Sequence, residues 1–98
     1  MDGVRPAGEL YVELSRRAPE PVIVHYATVD GTALAGEDYI GVTRGTITIA
    51  AGETVAAIRI AVRRDRLAGA PEHFYVRIFE PSLGRIVVSQ ARVTIPLP

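Results

Sequence analysis

Apolar residues recur at every second position along most of this chain, and a period of two commits a backbone to strands with one dry face. Leu10, Val12 and Leu14 alternate with Glu9, Tyr11 and Glu13. Phe74, Val76 and Ile78 alternate with Tyr75, Arg77 and Phe79 in the clearest such run. No window carries apolar residues at helical spacing, so an all-β fold is expected. Turn residues cut the pattern into strand lengths. Pro19 and Pro21 close the first run, Asp30-Gly31 ends Val22 to Val29, and Pro81 and Gly84 follow Phe79. Six or seven short strands separated in this way predict an antiparallel sandwich in a single domain spanning 1–98.

Between Asp30 and about Arg44 lies a stretch that is long for a connection inside a small sandwich. Its expected anchors are Tyr39 and Val42. Ile47 and Ile49 mark a short strand, Ala51-Gly52 a hairpin turn, and Ile58, Ile60 and Val62 the core face of the strand that returns. Ile86 to Val88 and Ala91 to Ile95 are expected to supply the last pairing segments, with Pro96 and Pro98 stopping the ladder by removing donors. Consecutive antiparallel strands reverse direction, so the Asp30 to Arg44 loop and the Arg63 to Glu72 loop should share one pole. That pole would gather Asp30, Glu37, Asp38, Asp65 and Glu72.

Composition removes several chemistries. Cysteine is absent, which excludes disulfides, thiolate zinc sites and cysteine nucleophiles. All basic residues are arginine, and with neither lysine nor asparagine present, Schiff-base catalysis and N-glycosylation are closed as well. Formal charge is zero, against the concentrated basic surface that phosphate binding needs. The apolar stretches are strand-sized, too short for a membrane helix, and Met1 to Ala7 lacks the charged-then-apolar layout of a secretory leader. If the domain is secreted, it is expected to derive from a longer chain.

His25 and His73 stand at no offset that would complete a metal set, so each reads as a structural or exposed histidine. Ser15, Ser82 and Ser89 lack the glycines of a nucleophile elbow, and no enzyme activity is expected. The glycines at 31, 36, 41 and 45 precede no helix and serve turns, not a phosphate cradle. Tyr11, Tyr75 and Phe79 fall on the outward faces of their strands, where an aromatic is either covered by a neighbour or part of a contact surface.

The run Asp-Gly-Thr-Ala at 30–33, Ala-Gly-Glu-Asp-Tyr at 35–39, Gly-Thr-Ile-Thr-Ile at 45–49, Ala-Gly-Glu-Thr at 51–54 and Glu-His-Phe-Tyr-Val at 72–76 resembles the Calx-beta domain family. The likeness extends from about Gly8 to Ile95. It implies an immunoglobulin-like β-sandwich of about seven strands, as found in sodium/calcium exchanger regulatory regions, an integrin cytoplasmic tail and many bacterial surface proteins. Calcium-sensing members hold the ion on top-loop carboxylates. Carried over by position, those are Asp38, Asp65 and Glu72 here.

Other ligand positions of the family differ. They hold Arg64, Arg66 and Gly69, the N-terminal glutamate position falls near Arg5, and the usual acidic tail is replaced by Pro96-Leu97-Pro98. Calcium takes six to eight oxygens, so three carboxylates beside two guanidinium groups form a poor cage, and the arginines are expected to act as counter-ions to Asp65. The family's first short strand is expected to be missing, which would leave part of a sheet edge bare for strand addition, unless the chain boundary simply falls late. The resulting expectation is a non-catalytic structural or adhesive module of a larger surface or secreted protein, or the subunit of a polymer of copies, with protein partners, no nucleic acid, no membrane insertion and no cofactor. The alternative is a calcium-binding regulatory module using the loop carboxylates.

Overall fold

The computed structural model describes residues 3–5, 10–62 and 72–95. It is all-β, with two antiparallel sheets and no helix among those residues. Seven strands form: β1 (Gly3–Arg5), β2 (Leu10–Glu13), β3 (Val22–Asp30), β4 (Gly45–Ile49), β5 (Val55–Ile58), β6 (Glu72–Phe79) and β7 (Gln90–Ile95). One sheet has the order β1-β2-β5 and the other β4-β3-β6-β7.

The period-two pattern is what builds the core. Leu10, Val12 and Ile58 point in from the smaller sheet, and Val22, Val24, Ile49, Phe74, Val76, Ile78, Ala91 and Ile95 from the larger. Register keeps these rows in line: Val24 lies opposite Ile47, Tyr26 opposite Ile78, and Phe74 opposite Val93. A one-residue slip of β6 would turn Phe74, Val76 and Ile78 to solvent, so burial fixes the pairing.

Three sequence expectations change. Ala51-Gly52 does not join partners in a hairpin, because β4 and β5 belong to different sheets and the segment carries the chain from one layer to the other. Its hydrogen bonds show the crossing: Gly52 N–H donates to the Ala18 carbonyl at 3.0 Å and Leu14 N–H to the Thr54 carbonyl at 2.7 Å, tying the segment to the end of β2 and the turn beyond. Ile49, at the end of β4, and Ile58, at the end of β5, both lie in the one core that the two sheets enclose. Gly52 takes φ +82°, which a side chain would strain.

The second change is at Ile86 to Val88, which adds no strand. Val87 is 71% exposed, and the ladder with β6 begins only at Gln90. Ile78 N–H donating to the Ser89 carbonyl at 2.8 Å is the last rung. The third concerns the edge expected to be bare. Gly3–Arg5 pairs with β2, Val4 opposite Val12, and covers its outer side.

Candidate functional site

At one pole β3 ends in Asp30 and β6 begins at Glu72, because Asp30 sits opposite Phe74 in the ladder. The loop after Asp30 is bound to both neighbours expected from the direction count. Ala33 N–H donates to the His73 carbonyl at 2.8 Å, and Ile40 N–H to the Ala61 carbonyl at 2.9 Å. Tyr39 forms an isolated bridge with Val62. The shared pole is therefore real on the described residues.

Inside the loop, short-range bonds set the shape. Asp38 Oδ2 accepts from Leu34 N–H at 2.9 Å, and the Asp38 N–H donates back to the Leu34 carbonyl at 2.9 Å. Gly36, at φ +91°, donates its N–H to the Tyr39 carbonyl. Asp30 Oδ1 accepts from Ala35 N–H at 2.8 Å and from the Tyr39 hydroxyl at 2.5 Å. Tyr39 is wholly buried, and burial together with the Asp30 carboxylate raises its phenol to about 12, against a smaller opposite pull from the Thr28 hydroxyl. Thr28 also accepts Val42 N–H on its hydroxyl at 2.9 Å and donates its own N–H to the Val42 carbonyl at 2.8 Å, closing the far end of the loop. Tyr39 is thus the interior anchor that the sequence suggests, while Val42 holds through its backbone.

Asp38 and Glu72 both stand on this pole, Asp38 in the loop and Glu72 at the first position of β6. Asp65, like Arg64, Arg66 and Gly69, lies outside the described residues. Among the described residues no group of three or more His, Asp or Glu is gathered closely enough to hold a metal ion. An open groove of about 420 Å³ beside the loop is lined by Thr28, Asp30, Tyr39 and Val42, among others, and neither Asp38 nor Glu72 reaches it. Asp30 and Thr28 are committed to the loop's own hydrogen bonds there, and the groove is a feature separate from Asp38 and Glu72.

By their chemistry alone, Asp38, Asp65 and Glu72 would offer at most about six oxygens, the low end of what calcium takes. Sequence reading missed Asp30 as the loop's organiser. Its signal was present in the Asp-Gly turn followed within the same loop by Tyr39, an acceptor and a donor in reach of each other.

Ser82 and the two histidines have other partners. Ser82 Oγ accepts from Ile23 N–H at 2.8 Å, His25 Nδ1 faces the Thr46 hydroxyl at 3.3 Å, and His73 Nδ1 faces the Thr32 hydroxyl at 3.2 Å.

A model of the Calx-beta domain family matches residues 2–96. The sodium/calcium exchanger Calx of Drosophila melanogaster is 38% identical over 79 residues, which is 79% of this chain and 8% of the exchanger. Among solved structures, the calcium binding domain CBD12 of CALX1.1 superposes with a TM-score of 0.80 at 33% identity, covering 91% of this chain and 38% of that one. The apo form of the Calx CBD1 domain gives 0.72 at 28% identity, covering 99% and 88%. The chain spans less than a tenth of the length of the exchanger it matches.

Proposed function

The chain belongs to the Calx-beta domain family, and on that premise we propose that it is a calcium-binding regulatory module of a longer protein, non-catalytic, with Asp38, Asp65 and Glu72 as its own ligands. The observation that carries the reading is the 33% identity and 0.80 TM-score to a calcium binding domain over 91% of the chain. Bound there, the ion would supply positive charge that the rim carboxylates can share. The chain's own part is positioning. Leu34 N–H orients Asp38 Oδ2, the buried Tyr39 holds the loop against the core, and the Ala33 to His73 bond keeps that loop beside Glu72. Arg64 and Arg66 flank Asp65 in the sequence and their charge opposes a cation, so low affinity is expected, with a neighbouring domain supplying the remaining oxygens.

Those two arginines also favour a second reading, a scaffold that presents surfaces and binds no ion. Calorimetric titration with calcium separates the two. The regulatory module gives a saturable heat that Asp38→Ala abolishes; a flat titration into the millimolar range leaves the scaffold.

A further inference from the structure

The outer side of the four-stranded sheet has a charge pattern that the rim does not explain. Buried positions on β3, β4, β6 and β7 alternate with outward ones, and no outward position is a carboxylate. Asp30 and Glu72 fall in the inward rows of β3 and β6, at the pole. The outward row of β6 reads His73, Tyr75, Arg77 and Phe79, and β7 sets Arg92 beside it. A chain of zero formal charge has thus kept its acids off one whole face.

The guanidinium groups on this face are arranged. Tyr75 pairs with Arg92 and Arg77 with Gln90, which makes Arg77 and Arg92 diagonal neighbours about 7–8 Å apart. Arg92 Nη2 lies 3.3 Å from His73 Nδ1. Arginine only donates, so that nitrogen accepts, and the contact holds one arm of the fork of an exposed side chain. His73 is fixed in turn by the edge of the Tyr75 ring, with centroids 5.4 Å apart at 78°. Arg77 is exposed and makes no ion pair among the described residues. At the far corner, Arg44 lies 5.5 Å over the Phe79 ring and takes up Glu80, the nearest carboxylate, at 2.6 Å.

We propose that this face binds an extended acidic segment of a partner protein, with carboxylates at alternate positions engaging Arg77 and Arg92 beside Tyr75. An extended chain rises about 3.3 Å per residue, so side chains on one of its faces recur about every 7 Å, matching the diagonal of the two arginines. Carboxylates pair with guanidinium forks through two hydrogen bonds, and the Tyr75 ring, opposite Arg92 and two residues before Arg77, offers apolar area beside them. Two arginines do not make the continuous stripe that a phosphate backbone needs. The surface adjoins the rim at His73, but neither Arg77 nor Arg92 is among the proposed calcium ligands, so the proposal does not depend on calcium.

The test is amide chemical-shift mapping of the isotope-labelled chain with a short synthetic peptide alternating Glu and Val, beside its Gln–Val counterpart. Saturable shifts on β6 and β7 are expected with the Glu–Val peptide alone. The Arg77→Gln/Arg92→Gln variant should weaken binding at least about tenfold. An Arg16→Gln/Arg17→Gln variant, which changes net charge equally in the loop after β2, should leave it unchanged. Matching thermal melts establish that the variants fold, and Arg77→Gln alone serves if loss of Arg92 disturbs His73. Absent or scattered shifts, equal binding of the Gln–Val peptide, or equal weakening by the Arg16/Arg17 variant would overturn the proposal. So would tighter binding at this face by oligothymidylate or by phosphatidylserine vesicles.

Discussion

The ring of Tyr39, a loop residue, lies parallel on the ring of Phe74, a strand residue, with centroids 3.9 Å apart and 11° between planes. Neither is exposed. A connection that would otherwise lie on the surface therefore has its midpoint in the hydrophobic core, and the position of Asp38 is set by core packing.

Truncating either ring should cost the fold, not the loop alone. Phe74→Ala is expected to lower unfolding free energy by about 3–5 kcal/mol, read by urea denaturation. Tyr39→Phe keeps the stack and loses the bond to Asp30, so its loss should be smaller, about 1–3 kcal/mol.

Alkaline pH supplies an independent test of the same anchor. The Tyr39 phenol is raised from 10.0 to about 12, so its neutral form is favoured in the fold. That stabilisation is complete below pH 10 and is lost as pH rises towards 12. Thermal melts should fall across this window in the native chain, and the part of the fall due to Tyr39 should be missing in Tyr39→Phe.

Gly31 has no room for a side chain. A Cβ there would stand 2.6 Å from the His73 carbonyl oxygen and 2.6 Å from its Cδ2. The oxygen is backbone, held by Ala33 N–H, and cannot turn aside. Gly31→Ala should cost about 1–3 kcal/mol and loosen the loop beside Glu72, visible as faster hydrogen exchange at Ala33.

If Arg64 and Arg66 weaken the rim for cations, reversing their charge should repair it. Arg64→Asp with Arg66→Asp is expected to raise calcium affinity about tenfold or more in calorimetry, since ligand charge count tunes such sites. An unchanged titration would place the two arginines away from the ion.

Much of this fold was legible because alternation is a local signal. Leu10 with Val12, and Phe74 with Val76 and Ile78, face the core as their spacing implies. Tyr39 could be named as an anchor because a large ring in a glycine-rich loop must be covered by something. The change of layer after Ile49 was not legible. A short Ala-Gly link between two apolar strands looks the same whether the second strand pairs with the first or crosses to the facing sheet, and only Ala18 and Leu14, distant in sequence, decide it. Ile86 to Val88 misled for a related reason, since β-branched residues favour strands but need a partner ladder, and β7 starts beyond them. In the candidate site, Asp38 and Glu72 were recovered to one pole by counting strand directions, whereas the task of Asp30 depended on where the Tyr39 hydroxyl comes to rest.

With Arg77 and Arg92 outward and no carboxylate in the outward rows of β3, β4, β6 and β7, the broad face of a chain of zero formal charge carries local positive charge. An anionic resin should hold the molecule by that side despite its balance, and added salt should release it. Where it is tethered within a longer chain, such polarity sets which side turns towards a charged neighbour before any contact forms.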